Sequence, residues 1–447
     1  MLRDAGALAR TLTTITGEDH VLAEGAAATF AVDGVRPRIA VSPGTQQEVE
    51  RVVAACGAAG AAMLPWGGGT SMGLGNPPTR LDVVVRLDRL TRVVEFDDLN
   101  LNVSVEAGVK LEGLQELLKG KREFLPIDPP QADSVTVGGL VQSNASGPGR
   151  HLYGSARDWV LGLRVVLPTA ERIRCGGKVI KNVSGYDMNK LFIGGFGTMG
   201  IVTEATFKLL PVPATRATVV GVFREVPQVA SVVARTLESF LVPEALEALD
   251  AGALESAGAG FAPGSGYGLA VSLAGSRETV DRQVRDFTKL FAEGQAISTR
   301  TLDAAAAEPA WRAIRDVHAP LKGRGVVVKI AVPIGKTLDL FAAAEGLVAQ
   351  RGGRGAVTAH AGSGIVRAGF EIEDGAPLPP CRDALQALRA EAEAAEGSLV
   401  LEAAPLPLKR AFDAWGRTRD GMSVTRRLKA ELDPGAVMNP GRFVGGI

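Results

Sequence analysis

Three separate glycine loops constrain this chain more than any other feature. The first, Gly67-Gly68-Gly69-Thr70-Ser71-Met72-Gly73, follows directly on a short apolar strand, Ala62-Met63-Leu64-Pro65. The second lies in 136–147 and carries Gly138-Gly139. The third, Gly194-Gly195-Phe196-Gly197-Thr198-Met199-Gly200, feeds a strand over 200–209. Glycine makes up 55 of 447 residues, about 12% against a usual ~7%, and the excess clusters in these loops. Without a Cβ, a loop can turn consecutive N–H groups onto an anion, or pass close to a flat ligand. The first loop alone reads equally well as a tight turn. Three loops on one unit read as the seat of a ligand as long as a dinucleotide. No Gly-Lys-Ser/Thr follows, so this is not a Walker A loop. The GxGxxG spacing and its downstream acid are missing, so no nicotinamide fingerprint is present.

The order around the first loop is strand, helix, strand, loop. Thr45 and Glu48 form a capping box, Val49, Val52, Val53 and Cys56 follow at helical spacing, and Gly60 closes the helix. Strands are expected at 82–87, 93–96, 101–107, 162–167 and 200–209, with a helix over 111–118. Pro211 and Pro213 end this block. Beyond it, strand-like runs (217–223, 268–273, 326–333, 365–372) alternate with amphipathic helices (226–240, 277–291, 339–349, 380–395). That pattern predicts an antiparallel sheet with helices on a face. A last helix is expected over 409–432. No internal repeat is evident, and 251–265, rich in Gly and Ala, reads as a mobile loop. The expected domains are 1–213 for the cofactor, 214–407 as a cap, and 408–447 returning to the first domain. The fold class is α+β: two α/β subdomains plus an α+β cap with an antiparallel sheet.

Several classes are excluded. Lys+Arg and Asp+Glu both number 49, so the chain is a poor nucleic-acid binder. Cys56, Cys175 and Cys381 lie far apart with no CxxC, so the chain encodes neither an iron–sulfur cluster nor a zinc ribbon. No apolar h-region follows Met1, and no run of 18 apolar residues occurs. The expectation is a reduced, cytoplasmic protein that meets a membrane only through a partner.

The strings WGGGTSMG, TVGGLVQSNASG and FGTMGIVTEATFKL, in this order, resemble the FAD-binding domain of the vanillyl-alcohol-oxidase / p-cresol-methylhydroxylase superfamily. The closing LDPGAVMNPGRF resembles the C-terminal motif of its D-2-hydroxyacid dehydrogenase branch. The stretch GGKVIKNVSGYDMNKLFIGGFGTMG is most similar to FAD-binding subunits of glycolate oxidases. The resemblance implies that Gly67, Gly68, Gly69, Thr70 and Ser71 hold the FAD pyrophosphate, flanked by Trp66 and Met72. It implies that Thr136, Gly138, Gly139, Ser143, Asn144, Ser146 and Gly147 line the flavin, ribityl chain and ribose. Ile201 and Thr203 would give backbone contacts, and Asn439 would lie near the ring. Some members attach flavin covalently through a His in the first loop. Thr70 stands there in this chain, which implies non-covalent FAD.

The chain departs from the dehydrogenase pattern in the cap. Related dehydrogenases carry a metal motif in which a first His is followed by an Asp, an Asn and a second His. Here His360 is kept, the Asp and Asn positions are Ser363 and Ile365, and the second His is absent. Downstream, Glu402 has no His beside it. One imidazole and one distant carboxylate do not make a metal site, so none is expected. A lone His is commonly a hydrogen-bonded structural residue. For 2-hydroxy acid chemistry the base candidates are His360, His318 and Lys329, and the carboxylate-binding candidates are Arg367, Arg324 and Arg312. The sequence does not choose among them, although His360 and Arg367 head each set. Trp311-Arg312 also reads as a packed helix with a snorkelling Arg. Lys178 and Lys181 read as salt-bridged surface lysines or, less simply, as partner contacts.

The function the resemblance implies is a glycolate oxidase-like subunit. It would pass electrons through FAD to an iron–sulfur partner and support a catalytic sister flavoprotein, its own 2-hydroxy acid chemistry degenerate or absent, as the missing metal ligands favour. The alternative is a self-sufficient glycolate or D-lactate dehydrogenase or oxidase. A scaffold that has lost FAD is disfavoured by the intact loops.

Overall fold

The computed structural model describes residues 2, 4–179, 186–258, 261, 266–350, 354–372, 378–418 and 420–447. Lys181 lies outside them. The chain divides into two compact units. The first comprises Met1–Ala145, Ser155–Pro211 and Arg417–Ile447; the second comprises Ser146–Gly154 and Val212–Gly416.

In the first unit, β1 (Val21–Ala23), β2 (Ile39–Val41), β3 (Met63–Trp66) and β4 (Val83–Arg86) form a sheet of order β1-β2-β4-β3. β4 runs parallel to both β2 and β3, with β1 antiparallel at one edge. Parallel strands need a crossover, and the helix Gln46–Ala58 supplies it. Its Thr45 cap accepts from Glu48 N at 3.1 Å, while the Glu48 carboxylate reaches back to Gly44 N at 2.8 Å. Val49, Val52, Val53 and Cys56 pack with Met63, Val83 and Val85 in one core.

The following strands are β5 (Val93–Asp97), β6 (Asn102–Glu106), β7 (Glu123–Phe124), β8 (Val160–Val166), β9 (Arg172–Gly176), β10 (Ile201–Lys208) and β11 (Leu210–Pro211). Five of them make an antiparallel sheet of order β5-β6-β10-β8-β9, and β7 pairs with β11. Helix Leu111–Lys119 lays Leu111, Leu114 and Leu118 onto the core of this sheet, beside helix Val137–Ser143.

The second unit contains β12 (Thr215–Phe223), β13 (Ala245–Leu249), β14 (Tyr267–Gly275), β15 (Ser298–Asp303), β16 (Gly325–Ala331), β17 (Gly355–His360), β18 (Ile365–Glu371) and β19 (Ser398–Ala403). They form one antiparallel sheet of order β15-β12-β14-β13-β17-β18-β16-β19. The sheet hides a repeat that the sequence does not reveal. β12, helix Val226–Leu237, β13, β14, helix Arg277–Glu293 and β15 make a βαββαβ half whose strands lie in the order 4-1-3-2. β16, helix Thr337–Ala349, β17, β18, helix Leu378–Ala394 and β19 repeat that order, and the halves join through β13 and β17. Only the in–out alternation is shared between halves, and unrelated side chains carry it equally well.

The four repeat helices cover one face, where Val219, Leu246, Val271, Val328, Val357 and Ala368 are buried. Helices Ala251–Ala257 and Ala304–Asp316 cover the opposite face of the first half. Ser146–Gly154 is tied into this unit by Tyr153, whose hydroxyl donates to Glu244 at 3.0 Å, and Arg216 holds the same carboxylate at 3.0 Å.

Two local expectations are corrected. Ala251–Ala257 is a helix, not a loop: Asp250 caps it, accepting from Ala253 N at 2.8 Å. The rest of 251–265 is described only at 258 and 261. The single helix over 409–432 is two, Leu406–Ala411 and Met422–Leu432. Gly416 and Gly421 between them have φ of +74° and +90°, which a continuous right-handed helix excludes.

Candidate cofactor cleft and a charged row

In the first unit, the end of β3, the first glycine loop, the start of helix Val137–Ser143 and the C-terminal segment border one cleft. Of the residues expected to bind cofactor, it brings together Trp66, Gly67, Ser71, Met72, Thr136, Gly138, Gly139, Ser143 and Asn439. Pro65, Leu87, Phe196 and Val202 give it apolar walls. The glycines are dictated locally. A Cβ on Gly67 would lie 2.2 Å from Thr136 Oγ1, and one on Gly138 would lie 2.9 Å from the Ala107 Cβ. Gly68 faces Ser134, whose carbonyl oxygen would be 1.8 Å from a Cβ. The resemblance ascribed that glycine to the pyrophosphate alone; protein backbone already requires it. Gly69 has φ +77° and turns the loop past Trp66, with Thr70 following.

Other expected residues lie elsewhere in the units. Asn144 ends the Val137–Ser143 helix at φ +48°, and its Oδ1 accepts from Arg157 N at 3.3 Å. Ile201 is buried with the first sheet's core, and Thr203 Oγ1 donates to Arg164 O at 3.2 Å. Ser146 and Gly147 fold with the second unit.

Besides the apolar wall residues, sequence reasoning missed the cleft residues Gln142, Phe196 and Arg442. Gln142 donates to Gly200 O at 3.1 Å and accepts from Gly197 N at 2.9 Å, binding the third loop to the second. Phe196 adopts φ +52°. Arg442 is buried, donates to Met72 O at 2.7 Å and Leu74 O at 2.5 Å, and so grips the first loop from the C-terminal arm. Burial pulls its guanidinium down to about 10. The arm itself extends the first sheet: Met63 N donates to Val437 O at 2.6 Å and Asn439 N to Met63 O at 2.7 Å. Lys429 pins it, donating to Thr198 O at 2.7 Å, Met438 O at 2.8 Å and Asp433 at 2.6 Å.

Asn439 carries the best test of what the cleft holds. Its Nδ2 donates to Phe196 O at 2.5 Å, while its buried Oδ1 has no partner among the described residues. A buried amide oxygen without a donor is costly, and its position in the cleft wall asks for a ligand N–H. A flavin ring offers one. With the glycine cradle and apolar walls, this donor and acceptor set fits FAD.

The second unit carries a different arrangement. On the sheet face away from the four repeat helices, polar side chains cross five strands in a row: Glu247 on β13, His360 on β17, Arg367 on β18, Lys329 on β16 and Glu402 on β19. Register sets the row, because Glu247 pairs with His360, and Arg367 pairs with Lys329. Glu247 and His360 are buried and hydrogen-bonded through Oε1 and Nδ1. Arg367 Nη1 lies 2.9 Å from His360 Nε2, and its Nε lies 3.5 Å from Glu402. Its Nη2 donates to Ser146 O at 3.5 Å. Burial, then the Arg367 charge, pushes the Lys329 ammonium down to about 8. Burial alone would raise the Glu402 carboxyl; Arg367 and Lys329 more than offset it and hold it low. His318 covers the row, and burial, reinforced by the Arg367 charge, lowers it to about 4.

His360, Arg367, Lys329 and His318 therefore meet. Arg324 does not join them: it is paired with Glu371 at 3.2 Å and largely exposed. Arg312 is exposed on its helix, and Trp311 is packed against Phe261 with its Nε1 donating to Thr218 at 2.9 Å. Lys178 is paired with Glu95 at the surface. Glu247 went unnoticed because a lone Glu in an apolar strand gives no motif. Among the described residues no three His, Cys, Asp or Glu side chains group as metal ligands.

Comparison with known proteins agrees with both halves. The FAD binding domain model matches residues 37–176, and the model for the C-terminal domain of FAD linked oxidases matches residues 212–443. The chain is 28% identical over 417 residues to glycolate oxidase subunit GlcD of Bacillus subtilis, covering 91% of this chain and 89% of that one. It is 37% identical over 141 residues to glycolate oxidase subunit GlcE of Escherichia coli, covering 31% of this chain and 40% of that one. Its fold is that of the crystal structure of p-cresol methylhydroxylase, with a TM-score of 0.78 at 16% identity over 98% of this chain and 96% of that one.

Proposed function

The chain belongs to the FAD-linked oxidases, and from that premise we propose that it is the FAD-bearing subunit of a glycolate oxidase-like complex. It oxidises the C2 hydroxyl of a small 2-hydroxy acid and hands the electrons to an iron–sulfur chain, beside a sister flavoprotein. The observation that carries the subunit role is the cysteine set. Cys56, Cys175 and Cys381 are each buried in a different part of the fold, so they cannot together ligate an iron–sulfur cluster in this chain. Likeness to a glycolate oxidase subunit at both full and partial length supports the same reading.

Bound FAD supplies the two-electron acceptor for the C2 hydride. The Gly67–Gly69 turn, with Thr70, Ser71, Trp66 and Met72, holds its pyrophosphate. Thr136, Gly138, Gly139 and Ser143 border the ring and ribityl chain, and Asn439 Oδ1 takes a ring N–H. FAD stays non-covalent, because Thr70 offers no nucleophilic nitrogen. In the second unit, Arg367 and Lys329 offer two cations to the substrate carboxylate, and His360 offers a base. The same cations repel a divalent ion, so the cap holds no metal, and elemental analysis should find none at stoichiometric level. Among the described residues no helix is long and apolar enough to cross a membrane, and any membrane contact runs through a partner.

The test is turnover of glycolate and D-lactate with a dye acceptor, for the chain alone and reconstituted with its iron–sulfur and sister chains. The complex should turn over substrate steadily while the isolated chain, in air, should not. Equal turnover by the isolated chain with oxygen would restore the self-sufficient oxidase.

A further inference from the structure

Resting on that reading, we propose that Glu247 is a positioning residue that fixes His360 as a proton acceptor for the substrate hydroxyl. The argument is one of donors and acceptors. A guanidinium can only donate. Arg367 Nη1 lies 2.9 Å from His360 Nε2, so Nε2 is the acceptor and carries no proton. The ring proton of a neutral imidazole then sits on Nδ1, where Glu247 Oε1 accepts it. Glu247 is buried on β13 and reaches His360 across the join between the two halves of the sheet. The dyad thus has an acidic orienter on one side and, on the other, an unprotonated Nε2 whose lone pair is held by Arg367, the protonation state required of a histidine base.

The remaining titratable neighbours fit the role. Arg367 and Glu402 lie beyond Nε2, Lys329 stands next to Arg367, and His318 and His151 approach from the covering segments. A substrate carboxylate engages Arg367 and Lys329 and draws Nη1 from Nε2, opening the lone pair to the hydroxyl. The O–H bond then breaks and an N–H bond forms at Nε2. The oxygen's electron pair would then form the C=O bond of the 2-oxo acid, and FAD, when bound, would supply the acceptor for the C2 hydrogen and its electron pair. The imidazolium so formed is balanced by the Glu247 carboxylate.

Two measurements on the holoprotein separate this proposal from the functional reading. In 15N-histidine-labelled protein, the His360 ring signal, identified by its loss in His360→Gln, should show Nδ1 protonated and Nε2 bare. Protonation at Nε2 overturns the proposal whatever the substrate is. Anaerobic flavin reduction by glycolate or D-lactate, followed against substrate concentration, is the second. Glu247→Gln should lower the limiting reduction rate about 100-fold while leaving the substrate Kd, set by Arg367 and Lys329, within about threefold of wild type. Glu247→Asp should recover part of the rate. A weakened Kd with an unchanged limiting rate makes Glu247 a packing residue and overturns the proposal. Failure of every 2-hydroxy acid to reduce wild-type flavin overturns the functional reading, while the ring signal still decides the tautomer.

Discussion

Replacing Lys429 by Met tests whether the C-terminal arm builds the cofactor cleft. The ammonium makes three hydrogen bonds, to Thr198 O, Met438 O and Asp433, and the Lys429 and Asp433 side chains are only 9% and 1% exposed. Burial lowers the Lys429 pKa, and Asp433 restores part of it. Lys429→Met keeps the length of the side chain but leaves the Asp433 carboxylate buried without its cation and leaves both carbonyls unpaired. Breaking a buried pair from one side costs about 3–5 kcal/mol. That strain falls on the segment carrying Asn439 and Arg442, so undocking of the arm becomes the easier route. If about 3 kcal/mol is spent this way, FAD affinity falls roughly 100-fold. The assay is titration of apoprotein with FAD, together with thermal release of flavin followed by its fluorescence. Lys429→Met combined with Asp433→Asn should recover much of the loss. The stranded charge is then gone, and the amide oxygen of the new side chain can still accept from Val437 N, as the Asp433 carboxylate does. An FAD affinity within about threefold of wild type, with unchanged release temperature, would refute the claim that Lys429 holds the arm.

Acid denaturation should release all flavin into the supernatant; colour left on the precipitate would point to a covalent bond at a residue other than Thr70. Gly68→Val should yield apoprotein or misfolded chain, because its Cβ meets the Ser134 carbonyl at 1.8 Å, whereas Gly113→Ala, with open space around it, should keep full flavin content. Binding of oxalate, a small dicarboxylate, should be strongest below pH 8 and weaken above it as Lys329 loses its proton; the sign follows because only the ammonium attracts the anion, and its pKa sits near 8. Calorimetric titration well below and well above that pKa reads this directly, and Lys329→Met should flatten the dependence while Arg367→Met should weaken binding on both sides of it.

The glycine loops were legible because their demands are local. Gly67, Gly69 and Gly138 answer to sterics and φ, and the adjoining strands and helices follow from period and capping. Gln142, Phe196 and Arg442 were not legible, since each acts through backbone partners distant in sequence: Arg442 reaches Met72 across 370 positions. The same holds for Glu247, which gains meaning only once β13 lies beside β17 and sets it opposite His360. His360 and Arg367 were visible as candidates, but nothing in the residue pattern prefers them to Arg324 or Arg312; register does, by turning Lys329, Arg367 and Glu402 to one face. The break at Gly416 and Gly421 was legible but missed: residues 416–421 carry no apolar position between Trp415 and Met422, and the glycines that bound the stretch take positive φ.

The central claim is that this chain oxidises a 2-hydroxy acid at its own FAD and depends on another chain to take the electrons away. The most direct measurement is flavin absorbance in the isolated holoprotein after mixing with glycolate or D-lactate, first without oxygen and then in air. The account predicts bleaching in a single turnover, followed by only slow recovery of colour in air. Flavin that stays oxidised with both acids, or rapid repeated turnover with oxygen alone, would contradict it.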